Sequence, residues 1–293
     1  MDKIKHQLTV DEMKEIELSI LKDVADFCEK NNLRYYLCGG TLIGAVRHKG
    51  FIPWDDDIDI IMPRPDYMKF VMLYNNKGKK RYTVRSIFND STFWRAFAQV
   101  FDNKTIMKEE NLNPKYATHP IAIDVFPMDG VPENQIVRNI IFLLQKLLHV
   151  IYYAAITAYK PSHHYENRAG NFVKWKGKIR TAMKYLGITL FGSIPAPSVI
   201  KMINNIAMKW SFTESTYVAA YIELNYPPEK EMNKRWDFES GVYKNFECEK
   251  FLVPVGYDHY LKNLYGDYMK LPPVEKRVSV HTFNAYWKDE VEQ

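Results

Sequence analysis

Between Pro53 and Met62 the chain reads Pro-Trp-Asp-Asp-Asp-Ile-Asp-Ile-Ile-Met, with acidic residues alternating with isoleucine. Residues two apart in an extended strand share a face, so Asp55, Asp57 and Asp59 would project together while Ile58 and Ile60 pack the opposite side. Three carboxylates on one face repel one another, which is costly unless a cation sits between them. Hard oxygen donors suit Mg²⁺ or Mn²⁺. A solvated acidic turn is the ordinary alternative, but the apolar partners Ile58, Ile60 and Ile61 favour a buried strand over residues 55–62, closed by Pro63 and Pro65. Asp56, pointing the other way, is expected to be structural.

A chain of 293 residues, 46% of them hydrophobic, can bury a substantial core and build one elaborated domain or a core with an insertion. Its three cysteines, Cys28, Cys38 and Cys248, form no CxxC pair, which argues against a disulfide framework or a zinc site. The net charge of +5 is modest; it suits an anionic substrate or a lipid surface and gives no sign of nucleic acid. Met1 to His6 leads into a charged stretch without the apolar run of a secretory signal, so the expected location is the cytoplasm or the inner face of its membrane.

Thr9 followed by Glu12 forms a capping box, and Val10, Met13, Ile16, Ile20, Val24 and Phe27 recur at helical spacing up to Asn31-Asn32. Arg34 to Cys38 reads as a strand running into Gly39-Gly40, with a short helix from Thr41 to Arg47 and another from Asp66 to Tyr74. Further strands are expected at Tyr82–Phe88, Phe97–Phe101 and Ile121–Phe126, the last bounded by Pro120 and Pro127. From Gln135 to Tyr159 the chain is strongly apolar, with more helices between Phe172 and Ala220 and another helix near Tyr257–Leu264. Arg138, Gln145, Lys146 and His149 interrupt the stretch from Ile136 to Ala158, and central charges are expensive within a bilayer. A buried or interfacial helix, with peripheral membrane contact, therefore fits better than a span. The division expected is a catalytic core over 1–130, a mainly helical insertion over 131–245 facing acceptor or membrane, and a C-terminal segment over 246–293 returning to the core.

A glycine pair before a helix, an Asp-x-Asp strand and a third carboxylate, Asp124, on a later apolar strand occur here in order. Phosphoryl chemistry explains each part. Two glycines let the backbone approach a phosphate and present amides at the start of the following helix. The carboxylates can hold divalent ions against a di- or triphosphate.

The set resembles the nucleotidyltransferase-fold superfamily. The fuller strings Cys38–Arg47 and Gly50–Ile60 resemble the LicD family, as do Ile123–Pro132 and Leu264–Pro273. That resemblance implies an α+β fold, a nucleotidyltransferase-like mixed sheet flanked by helices with a helical insertion. It further implies a transferase that moves a phosphorylated alcohol from a CDP-linked donor to a hydroxyl of a surface glycan, such as teichoic acid, lipopolysaccharide or capsule. CDP-choline is the foremost donor, a glycan or lipid-linked glycan the acceptor, and CMP the product. CDP-ribitol, CDP-glycerol, CDP-ethanolamine and CMP-aminoethylphosphonate are alternatives, as is transfer of a nucleoside monophosphate.

On this reading Asp57, Asp59 and Asp124 are catalytic and hold Mg²⁺ or Mn²⁺, with Asp55 reaching the metal directly or through water and Asp124 serving as general base. Gly39, Gly40, Thr41 and Arg47 receive the donor, with Lys276 and Arg277 as second phosphate ligands; guanidinium binds phosphate in bidentate fashion. A choline head group needs aromatic faces. Trp54, Tyr35, Tyr36, Phe93 and Trp94 lie near the motifs, with a core role expected for any single one of them.

Overall fold

Thr9 opens the first helix, α1 (Val10–Lys30), as the capping box requires: its side chain accepts the Glu12 amide at 3.2 Å while Glu12 accepts the Thr9 amide at 2.8 Å. Met13, Ile16, Ile20, Leu21 and Val24 form its buried stripe. The structure, a computed structural model, describes residues 7–78, 81–109, 112–157, 186–222, 226–277 and 283–288. Of the helical region expected between Phe172 and Ala220, residues 172–185 lie outside this set.

After α1 come β1 (Tyr36–Leu37), α2 (Gly39–Ile43) continued by a π-helical turn over Gly44–His48, β2 (Asp59–Pro63), α3 (Arg64–Lys77), β3 (Tyr82–Arg85), β4 (Ala98–Asp102), β5 (Thr105–Glu109), β6 (Thr118–His119) and β7 (Ala122–Val131). Then follow α4 (Gln135–Ile156), α5 (Ala196–Ala207), β8 (Tyr217–Ala219), β9 (Asn233–Lys234), β10 (Gly241–Phe246), β11 (Glu249–Pro254), α6 (Tyr257–Tyr265) and β12 (Phe283–Trp287).

The central sheet runs β1-β2-β7-β4-β3, with β8 on the far part of β7 and β9 beside β8. Among the described strands only β2 and β7 are parallel. The fold is thus α+β with a mixed sheet, as expected. Residues 131–245 are not all helical, because β8 and β9 join this central sheet. Two smaller units, β12-β5-β6 and the β10-β11 hairpin, lie outside it.

Strand boundaries differ from the sequence reading: β1 covers only Tyr36–Leu37, β3 ends at Arg85 rather than Phe88, and two further departures bear on the site. The acidic strand begins at Asp59 rather than Asp55, because the Asp55 amide bonds back to the Ile52 carbonyl at 2.9 Å and closes a turn over Pro53-Trp54. The rule that residues two apart share a face therefore does not reach Asp55. Conversely, β7 does not stop at Pro127. β4 pairs only Ala122–Val125 and β8 only Asp129–Val131, so the proline falls in a gap where that edge of β7 has no partner and its missing N–H does little harm.

Candidate active site

The parallel pairing of β2 with β7 sets Asp59 beside Asp124 in register. The ladder reaches one residue further back, since the Asp124 amide bonds the Ile58 carbonyl at 3.0 Å. Ile58 and Ile60 are buried while Asp57 and Asp59 are half-buried, so the alternation read from the sequence holds over these four residues. Asp57, Asp59 and Asp124 line one cleft together with Arg95, Phe97, Phe126, Tyr152 and Tyr153. Asp56 is buried away from it.

Neighbouring residues hold this edge in place. The buried Thr41 hydroxyl accepts the Asp59 amide at 2.8 Å, and the Cys38 amide donates to the Asp59 carbonyl at 3.1 Å. Thr41, expected at the donor, thus spends its hydroxyl on aligning the acidic strand. Gln99, opposite Asp124 on β4, donates to its Oδ1 at 2.7 Å.

The glycine pair is required by the carboxylates themselves. Gly39 has φ +54°, and a Cβ there would lie 3.2 Å from Asp59 Oδ2. A methyl at Gly40 would overlap the Asp55 carboxylate. Asp55 therefore packs against the start of α2, whereas the other three carboxylates line the cleft.

Arg47 and Arg277 meet at a different place. Arg47 donates to the Tyr268 carbonyl at 2.6 Å, Arg277 donates to the Pro272 carbonyl at 2.8 Å, and the Arg277 guanidinium lies 5.6 Å from the Trp54 ring centre. Burial and the charge of Arg277 together press Arg47 below the usual arginine range. Burial and Arg47 likewise lower His48, whose Nε2 accepts from Arg47 Nε at 2.9 Å. Two guanidiniums close enough to act on each other, with Arg277 beside the residue that precedes Asp55, form a cationic corner suited to phosphate. Lys276 is exposed in a 3₁₀ turn beside Arg277. The C-terminal motif also returns to the glycine pair, since the Tyr265 hydroxyl would be 3.9 Å from a Gly39 Cβ.

Three cleft groups escape motif reasoning. Arg95 lies across the Trp94 ring at 4.2 Å and bonds Glu109 at 2.7 Å, leaving a buried Nε without a partner. Tyr152 and Tyr153 come from the end of α4, and no motif marks them. Glu17, on the buried face of α1, stands behind the acidic group. Burial, then the charges of Asp57, Asp56 and Asp124, push its carboxyl well above the usual range, and its Oε2 has no partner. Its signal was available: a glutamate in the Met13-Ile16-Ile20 stripe.

The proton on Glu17 has a consequence for stability. Below the unfolded-state value of about 4.5 both states hold it. As pH rises, the unfolded chain releases the proton first, and each unit before the folded state titrates costs about 1.4 kcal/mol. Glu17→Gln should therefore gain on the parent as pH rises above that unfolded-state value. Urea unfolding of both proteins checks this, and parallel pH profiles would contradict it.

The same excess of negative charge tests the fit of a divalent ion. Among the described residues no group of three His, Cys, Asp or Glu side chains is already placed to hold a metal ion. The fit is therefore one of donor chemistry: the hard oxygens of Asp57, Asp59 and Asp124 line one cleft.

A glycine-led helix start beside paired carboxylates on a mixed sheet is the arrangement of a nucleotidyltransferase-type domain. Residues 32–146 match the family described as LicD/FKTN/FKRP, nucleotidyltransferase domain. The chain is 31% identical over 285 residues to the lipopolysaccharide cholinephosphotransferase LicD of Haemophilus influenzae, covering 96% of this chain and 98% of that protein. It is also 28% identical over 160 residues to an uncharacterised protein of Rickettsia prowazekii, covering 53% of each. This chain belongs to the LicD family.

Proposed function

We propose that this chain is a cholinephosphotransferase that moves phosphocholine from CDP-choline to a hydroxyl of a cell-surface glycan and releases CMP. Its near full-length likeness to the Haemophilus protein carries the reading. The cleft is consistent with it, because acidic and aromatic side chains share one wall. Phe97, Phe126, Tyr152 and Tyr153 border the carboxylates, and ring faces attract a quaternary ammonium that cannot donate hydrogen bonds. Of the aromatics near the motifs, Tyr35, Tyr36 and Phe93 are fully buried in the core, and Trp94 stacks on Tyr116.

Asp57, Asp59 and Asp124 would hold Mg²⁺ or Mn²⁺. A bound divalent ion supplies charge neutralisation on the diphosphate and the departing phosphate oxygen. Arg47 and Arg277 bind phosphate oxygens of the donor, and Arg95 adds positive charge on the cleft wall through its unpartnered Nε. Asp124, oriented by Gln99, accepts the proton of the attacking acceptor hydroxyl. The oxygen–phosphorus bond forms as the bond to the CMP oxygen breaks.

Calorimetric titration with CDP-choline, CDP-ribitol, CDP-glycerol and CTP, each with and without Mg²⁺, tests the donor. The expected result is metal-dependent binding in which CDP-choline is favoured by about tenfold or more, the scale of desolvated cation–π recognition. Preference for CTP, or equal binding of the whole series, would overturn the assignment.

A further inference from the structure

Among the described residues, one face of α4 has no partner. Its other face is fully engaged: Phe142, Leu148 and Tyr152 are buried, Gln145 donates to the Ile203 carbonyl at 3.0 Å, and His149 bonds the Ile222 carbonyl at 2.8 Å. The helix is long and apolar enough to cross a membrane. These polar tethers to α5 and to the residues after β8 instead make it part of the folded core. Outward, Ile136, Ile140, Leu143, Leu147 and Val150 are each more than half exposed and recur at alternating intervals of four and three, drawing one apolar stripe along the helix. Met202 on α5 is similarly exposed. A contiguous apolar face of this kind on a folded protein marks a docking surface.

Charge identifies the occupant. Residues 135–213 contain eleven lysines and arginines against one acid, Glu166, so this stretch carries +10 while the whole chain carries only +5. Among the described residues of the stretch, Lys146, Lys201 and Lys209 are exposed, and neither α4 nor α5 has an aspartate or glutamate. Two copies of such a face would repel each other, whereas an apolar stripe set among cations complements anionic phospholipid.

We propose that the exposed face of α4, with Lys146 and the neighbouring Lys201, docks on an anionic bilayer. The stripe leads to the cleft: Tyr153, at the same end of α4 as Tyr152, is both half-exposed and part of the cleft wall. Docking therefore brings the cleft to the lipid surface, where an acceptor carried on lipid is met. Only this last clause rests on the transferase reading.

The test is flotation of the full chain with vesicles of phosphatidylcholine, pure or containing about one third phosphatidylglycerol. Binding should be about tenfold or more stronger on the anionic vesicles and should weaken with salt. Leu143→Asp with Leu147→Asp should reduce it about tenfold or more, and Lys146→Glu with Lys201→Glu should do likewise, with the melting temperature and CDP-choline titration unchanged. The proposal is overturned by absent vesicle binding, by binding that the two pairs of substitutions leave intact, or by sedimentation showing a dimer that L143D/L147D dissolves. Vesicle binding without recognition of CDP-choline would leave the docking surface standing and remove the donor assignment instead.

Discussion

Asp59→Asn is expected to lower phosphocholine transfer by at least about 10²–10³-fold, the scale on which a charge acting on the transition state contributes. The carboxylate lies in register with Asp124 on the parallel pair, and its backbone is held separately by Thr41 and Cys38. Asparagine keeps the shape and those backbone bonds, so the melting temperature should barely move. Asp57→Asn should behave similarly, since Asp57 lines the same cleft without being part of the ladder. Near-parental turnover in either variant would remove these residues from the chemistry. A fall caused by unfolding would show in the melting curve.

Asp129→Ala should instead damage the fold. Asp129 belongs to the conspicuous Ile123–Pro132 string, yet it lies away from the cleft, buried against Arg64 in a two-point contact at 2.7 and 2.5 Å. Arg64 also reaches Asn204 at 3.1 Å, so the pair ties α3 and β7 to α5. Removing the carboxylate strands a buried guanidinium, and breaking such a pair costs about 3–5 kcal/mol. Arg64→Met combined with Asp129→Leu should recover most of that loss, because neither charge is then left alone. Chemical denaturation measures both effects. A single variant as stable as the parent would show that the pair contributes little.

The first helix, the central strands and the acidic edge were legible because each rests on a local rule. The capping box placed Thr9 at the N-cap, and the alternation of Asp57, Ile58, Asp59 and Ile60 survives in their burial. Asp55 departs from the alternation because one turn hydrogen bond to Ile52 ends the extended conformation on which that pattern depends. The glycine pair reads in sequence as a phosphate cradle, and a further spatial reason for it, room for the Asp55 and Asp59 carboxylates, depends on contacts across the chain. Arg95, Tyr152 and Tyr153 reach the cleft only through tertiary packing, and no spacing in their own segments announces it. The strands β5 and β12 likewise need each other, pairing Thr105–Glu109 with residues near the end of the chain.

The most direct test is ³¹P NMR of the purified protein incubated with CDP-choline and a lipopolysaccharide acceptor, with Mg²⁺, after chelation, and with Mg²⁺ restored. The account predicts CMP appearing together with a phosphodiester-linked choline on the acceptor, loss of both signals on chelation, and their return with the metal. Transfer that persists without a divalent ion, or pyrophosphate released from CTP in place of CMP from CDP-choline, would contradict it.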